Sequence, residues 1–78
     1  MPSGNVGTFA KKLITALSYV GSNTEYIGNA EPGANKASAV WRISKLSYSG
    51  DDLTDIQFAD GDEEFDNIWD NRASLNFS

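Results

Sequence analysis

Three groups of residues in this chain have types and spacing that bear on chemistry. The first is the acidic run Asp60, Asp62, Glu64 and Asp66, whose alternation resembles the oxygen-ligand pattern of a calcium loop. Counting from Asp60, however, the sixth position holds Phe65 where the loop needs glycine, and the twelfth holds Asn71 where it needs glutamate. Acids ahead of a helix have a simpler use, since they complement the helix dipole. The run is read as capping and solvation, with a weak cation site as the competing reading, and no metal site is assigned.

The second group is aromatic: Trp41 and Trp69, with Tyr19, Tyr26 and Tyr48. Rings exposed on a sheet stack on sugars and are enriched at protein interfaces. In so small a domain most rings must also supply the core. Core packing is therefore the first reading for any one ring, and ligand or partner contact, for which Trp41, Trp69 and Tyr26 are the candidates, is the competing one. Asp70 and Arg72 flank Trp69 and complete the candidate set, an Asp70–Arg72 salt bridge being expected to orient the ring.

The third group is nucleophilic, and it lacks a base. The chain has no histidine and no cysteine, which removes Ser-His and Cys-His chemistry. Ser44 and Lys45 are adjacent, so on a strand they point to opposite faces and cannot cooperate. The acids could supply a glycosidase pair, but a chain of 78 residues offers little cleft to hold a sugar. The expectation is a protein that is not an enzyme and carries no cofactor.

Charge and size narrow the partners. A net charge of −5 argues against nucleic acid. Nine of the eleven acids lie between Asp51 and Asp70, whereas five of the six basic residues precede them. This asymmetry suits a solvated acidic face, or contact between one copy's acidic half and another's basic half. The N-terminus has no apolar signal region and no stretch has the length of a membrane span, so a soluble, unprocessed chain with no membrane partner is expected. A domain this small needs a staple. With no cysteine for disulfides and no Cys/His zinc site, homo-oligomerisation or docking into a larger assembly is left.

A repeat sets the organisation of the elements. LITALSYVGSNTEYIGNA from Leu13 aligns with RISKLSYSGDDLTDIQFA from Arg42 at an offset of 29, with seven identities in eighteen positions: Ile14/Ile43, Leu17/Leu46, Ser18/Ser47, Tyr19/Tyr48, Gly21/Gly50, Ile27/Ile56 and Ala30/Ala59. Each copy has an apolar run, a Gly-containing polar cluster and a second β-prone run, which is how a hairpin reads. The repeat thus places hairpins at 13–30 and 42–59. Phe9, Leu13, Ala16, Leu17 and Val20 also recur at helical spacing behind a possible Thr8 cap, so a helix over 9–20 competes with the strand. Ile14 and Leu17 would face opposite sides of a regular strand.

Between the copies, Glu31 to Ser38 reads as a flexible loop around Pro32-Gly33. Phe65, Ile68, Trp69 and Arg72 recur at helical spacing behind early acids, predicting a short helix over 63–71. In the tail, Leu75 and Phe77 alternate and suit an edge strand of the chain's own sheet or a neighbour's. Residues 1–7 read as a flexible arm. The expected fold is one mainly β domain, two repeated hairpins forming a small sheet or barrel with a short C-terminal helix and an edge strand.

The residues Tyr26-Ile27-Gly28, Ala30, Pro32-Gly33, Trp41-Arg42-Ile43, Lys45, Ala59-Asp60-Gly61, Phe65-Asp66 and Trp69-Asp70-Asn71-Arg72-Ala73-Ser74-Leu75 form a pattern that resembles small virion structural proteins of tailed bacteriophages. The resemblance rests on turn and core residues, so it implies a setting and no catalytic motif. That setting is a tail or fibre-associated protein or a capsid decoration protein, assembled in the host cytoplasm and located in the virion, with other virion proteins as partners. Two alternatives stand beside it: a small glycan- or cation-binding module at a fibre tip, and a phage-encoded acidic inhibitor of a host protein.

Overall fold

The computed structural model describes residues 12–78, so the arm at 1–7 and the helical reading of 9–11 lie outside the described residues. The chain forms β1 (Ile14–Val20), β2 (Asn23–Ala30), β3 (Ala39–Ser49), β4 (Asp52–Phe58), a two-residue β5 (Asn67–Ile68) and a 3₁₀ helix (Trp69–Ser74). The first four strands make an antiparallel meander in the order β1-β2-β3-β4, and β5 pairs with the start of β3. The sheet is open, so of sheet and barrel it is the sheet that forms. From Ile14 to Val20 the strand reading holds over the helix.

The repeat is reproduced in the register, pair by pair. In the first hairpin Ile14 faces Ala30, Leu17 faces Ile27 and Ser18 faces Tyr26. After a bulge, Tyr19 faces Thr24 and Val20 faces Asn23. Adding 29 to each number gives the second hairpin: Leu46 with Ile56, Ser47 with Asp55, then a bulge, Tyr48 with Leu53 and Ser49 with Asp52. The turns match as well. Gly21 and Gly50 each open a two-residue loop with φ of +61° and +63°, the positive value that a type II′ hairpin turn requires at its first central residue.

Alternation then sorts the side chains onto two faces. The inner face carries Ala16, Tyr26, Ala30, Trp41, Ile43 and Ala59, which with Trp69 form the core, and Ile14, Ala34, Leu75 and Phe77 pack against it. Ile14 is half-buried on this face while Leu17 is exposed on the other, so the two residues do point apart. Three alanines and Gly28 line the inner face because something bulky lies on it: the C-terminal segment folds back and places the Trp69 indole there.

That segment departs from the predicted helix. Residues 63–66 are irregular and the helical turn starts at Trp69 instead of Glu63. Asn67 and Ile68 are paired with Trp41 and Ala39 of β3, and the main chain cannot satisfy a strand ladder and a helix at once. The tail forms no strand of its own but pairs with its own sheet through an isolated bridge: Ala59 bridges Phe77, Phe58 exchanges both main-chain hydrogen bonds with Ser78 at 3.2 and 3.1 Å, and the Asp60 N–H donates to Asn76 O at 2.7 Å. The Glu31–Ser38 loop is braced where a flexible link was expected. Its Ala34 packs on the core, Asn35 O accepts the Trp41 Nε1–H at 3.1 Å, and Lys36 O accepts the Asp70 N–H at 3.1 Å.

Candidate interaction surface

The two indoles anticipated as contact residues lie in the core. Trp41 is 1% and Trp69 4% exposed, with ring centroids 5.9 Å apart and planes tilted by 39°. Tyr26 is buried too, its ring 5.6 Å from that of Phe77. Arg72 acts on Trp69 as expected of an orienting residue, but by stacking: its guanidinium carbon sits 4.6 Å from the ring centroid and its Nη1 donates to Trp69 O at 3.2 Å. Asp70 contributes its main-chain N–H to Lys36 O. Trp41, Trp69, Tyr26 and Arg72 are thus brought together, as a packed cluster on the inner face.

The acidic run is spread out. Asp60 adopts a left-handed conformation at φ 60°, the Asp62 carboxylate accepts the Glu64 N–H at 3.0 Å, and the Asp66 carboxylate accepts the Asn67 side-chain amide at 3.1 Å. Among the described residues no three acidic side chains converge on a point that could hold an ion. Ser44 points to the outer face and donates to Ile27 O at 3.4 Å, while Lys45 lies on the inner-facing side with Tyr26 as its neighbour on β2.

The outer face carries a pattern that the candidate residues did not include. One row crosses three strands as a polar ladder: the Asn29 side-chain amide donates to Thr15 Oγ1 at 3.1 Å, and Arg42 Nη2 donates to Asn29 Oδ1 at 3.3 Å. The same Arg42 covers the Phe65 ring, 5.0 Å from its centroid. The next row is Leu17, Ile27, Ser44 and Phe58, with Leu46 and Ile56 paired beside it. Leu17 is 49% and Ile56 53% exposed. An open cleft of about 580 Å³ lies at the loop end, lined by Leu13, Glu31, Pro32, Gly33, Ala34, Val40 and Phe65.

A signal for this face was present in the sequence. Leu17/Leu46 and Ile27/Ile56 are identities of the repeat, and their partners Ile14/Ile43 and Ala30/Ala59 are of opposite parity. The hairpin motif therefore repeats an apolar pair on each face. Fold and surface together define a class, an open antiparallel β-sheet domain packed on one face and apolar on part of the other. No family model, no curated protein and no solved structure matches the chain, so the functional reading rests on this surface and on the residues themselves. Among the described residues no helix is long and apolar enough to cross a membrane.

Proposed function

We propose that this chain is a non-enzymatic structural component of a bacteriophage virion, assembling through protein–protein contacts in the tail or capsid. The observation that carries the assembly part is the outer face, where Leu17, Ile27, Leu46 and Ile56 recur from both hairpins and the outermost two stay about half exposed. Leu46 between them is buried, and half-exposed apolar side chains flanking such a row are a feature of interaction sites. The virion setting comes from the sequence resemblance alone. A non-catalytic role is supported by the absence of histidine and cysteine and by the separation of Ser44 and Lys45 across the sheet.

A glycan module at a fibre tip needs an indole offered to a sugar ring, and both indoles are inside. A cation module needs converging oxygens, which the described acids do not provide. These observations favour assembly over ligand capture. The test is mass spectrometry of purified particles of the phage that encodes the chain. Stoichiometric presence is the expected result, and absence from the particles would remove the virion reading.

A further inference from the structure

The two edges of the sheet are not equivalent, and the difference selects how copies meet. An edge strand exposes a row of unpaired main-chain groups that another strand can take up. On β4 that edge is guarded. It carries Asp52 and Asp55, with Asp51 in the preceding turn, and at its far end Ser78 already holds both outward main-chain groups of Phe58. The β1 edge is less guarded: Ile14–Val20 contains no charged side chain, no proline and no glycine, and the one charge beside it among the described residues, the exposed Lys12, precedes Leu13 and falls opposite Ser18, not opposite its own copy, in the pairing below.

We propose that β1 pairs antiparallel with β1 of a second copy about a two-fold axis, making one continuous eight-stranded sheet. This deepens the assembly reading above and rests on it. Main-chain parity fixes which residues take part. The Ala59 N–H bonds to Ile43 O at 2.9 Å, so by the repeat Ile14 and Ala16 direct their main-chain groups toward β2, and Leu13, Thr15 and Leu17 direct theirs outward.

A two-fold axis at Thr15 sets Thr15 opposite Thr15 of the second copy and Leu13 opposite Leu17 in both senses. It sets Ile14 opposite Ala16 on the inner face. This register stays clear of the bulge at Ser18/Tyr19 and joins leucines that are 39% and 49% exposed in one copy. The outer apolar rows of the two copies become one.

Charge decides against the other arrangements. Two β4 edges would bring Asp55 of each copy within strand-pair distance, where like charges repel. Joining β4 to β1 of the next copy in the register that joins β2 to β3 requires Phe58 to bond Leu13, and Ser78 occupies that place. Pairing β1 with β1 puts the two β4 strands at opposite ends of the sheet, roughly 34 Å apart at about 4.8 Å per strand. That is several times the ~8 Å screening length at physiological salt. Edge pairing of this extent is at the small end of protein interfaces, so a dissociation constant on the order of micromolar is expected.

The test uses the intact chain, which has no cysteine of its own. Sedimentation equilibrium from about 1 to 500 µM should show the mass doubling. Thr15→Cys should give a covalent dimer on mild oxidation, and Ile56→Cys, on the outward side of β4, should not. Thr15→Lys sets two ammonium groups face to face and should weaken association at least tenfold with unchanged circular dichroism, because Thr15 is exposed and gives up only the Asn29 contact. A chain that stays monomeric over the whole range, or cross-linking as efficient at Ile56 as at Thr15, would overturn the proposal. Either result would leave presence in the virion intact, and absence from virions would leave the dimer intact, so the two readings fail separately.

Discussion

Gly28 is the seat of Trp69: a Cβ built on this glycine would lie 2.5 Å from Cε3 and 2.7 Å from Cζ3 of the indole, and 3.1 Å from Cε3 of Trp41. Its counterpart in the second hairpin is Gln57, an exposed residue. The repeat is thus broken where the C-terminal segment needs to lie flat on the sheet. Only a residue without a side chain lets β2 approach two packed rings.

Gly28→Ala is therefore expected to push Trp69 off its position and to destabilise the domain by about 1 to 3 kcal/mol, the usual cost of overfilling a packed core. Gln57→Ala, at the equivalent exposed place, should stay within about 0.5 kcal/mol of the parent. Urea unfolding followed by tryptophan fluorescence compares the two. Equal effects would mean that the indole does not rest on Gly28.

The turn glycines offer a test of the repeat itself. Gly21 and Gly50 have φ of +61° and +63° and open space where a Cβ would go, so the cost of alanine there is conformational and not steric. Each Gly→Ala should destabilise by about 1 kcal/mol, the two values agreeing closely, and asparagine should recover part of the loss because it tolerates the left-handed region. Thermal unfolding of the four variants would check this. Unequal costs would show that the hairpins share a sequence pattern without sharing turn energetics.

Much of this architecture was legible because hairpins are local. Strand pairs such as Leu17/Ile27 and Leu46/Ile56 sit ten residues apart, and the glycine-containing clusters between them announce the turns. What lay beyond local pattern was long-range. The spacing of Phe65, Ile68, Trp69 and Arg72 reads as a helix, yet Asn67 and Ile68 are captured by the start of β3, a pairing no local periodicity encodes. The sequence leaves the aromatics open between core and contact, because ring type does not encode burial, and the packing of the C-terminal segment puts Trp41, Trp69 and Tyr26 in the core. The outer face is not legible in the sequence because Leu17 and Ile56 have the pattern of core residues, and only the position of the tail decides which face is covered.

Burial of both tryptophans makes a spectroscopic prediction. With Trp41 and Trp69 at 1% and 4% exposure, emission should be blue-shifted in the folded state and iodide should quench it little. Adding oligosaccharides should leave both spectrum and quenching unchanged. Strong iodide quenching, or a sugar-dependent shift, would favour the glycan module over an assembly role.

The tail should be detachable from the rest of the sheet by one substitution. Phe77 packs its half-buried ring on Tyr26, 5.6 Å between centroids, and this contact holds the tail segment that pairs with the end of β4. Phe77→Ala is expected to cost about 2 kcal/mol, less than the roughly 3 to 5 kcal/mol of a fully buried ring. Amide exchange would locate the damage residue by residue. The N–H groups of Phe58 and Asp60, which bond Ser78 O and Asn76 O, should exchange faster, whereas the N–H of Ala59 between them, bonded to Ile43 O, should lose much less protection. That alternation follows from antiparallel geometry, in which successive residues direct their hydrogen bonds to opposite sides. Uniform loss of protection over 58–60 would mean that the tail supports β4 as a whole and is not a separable segment.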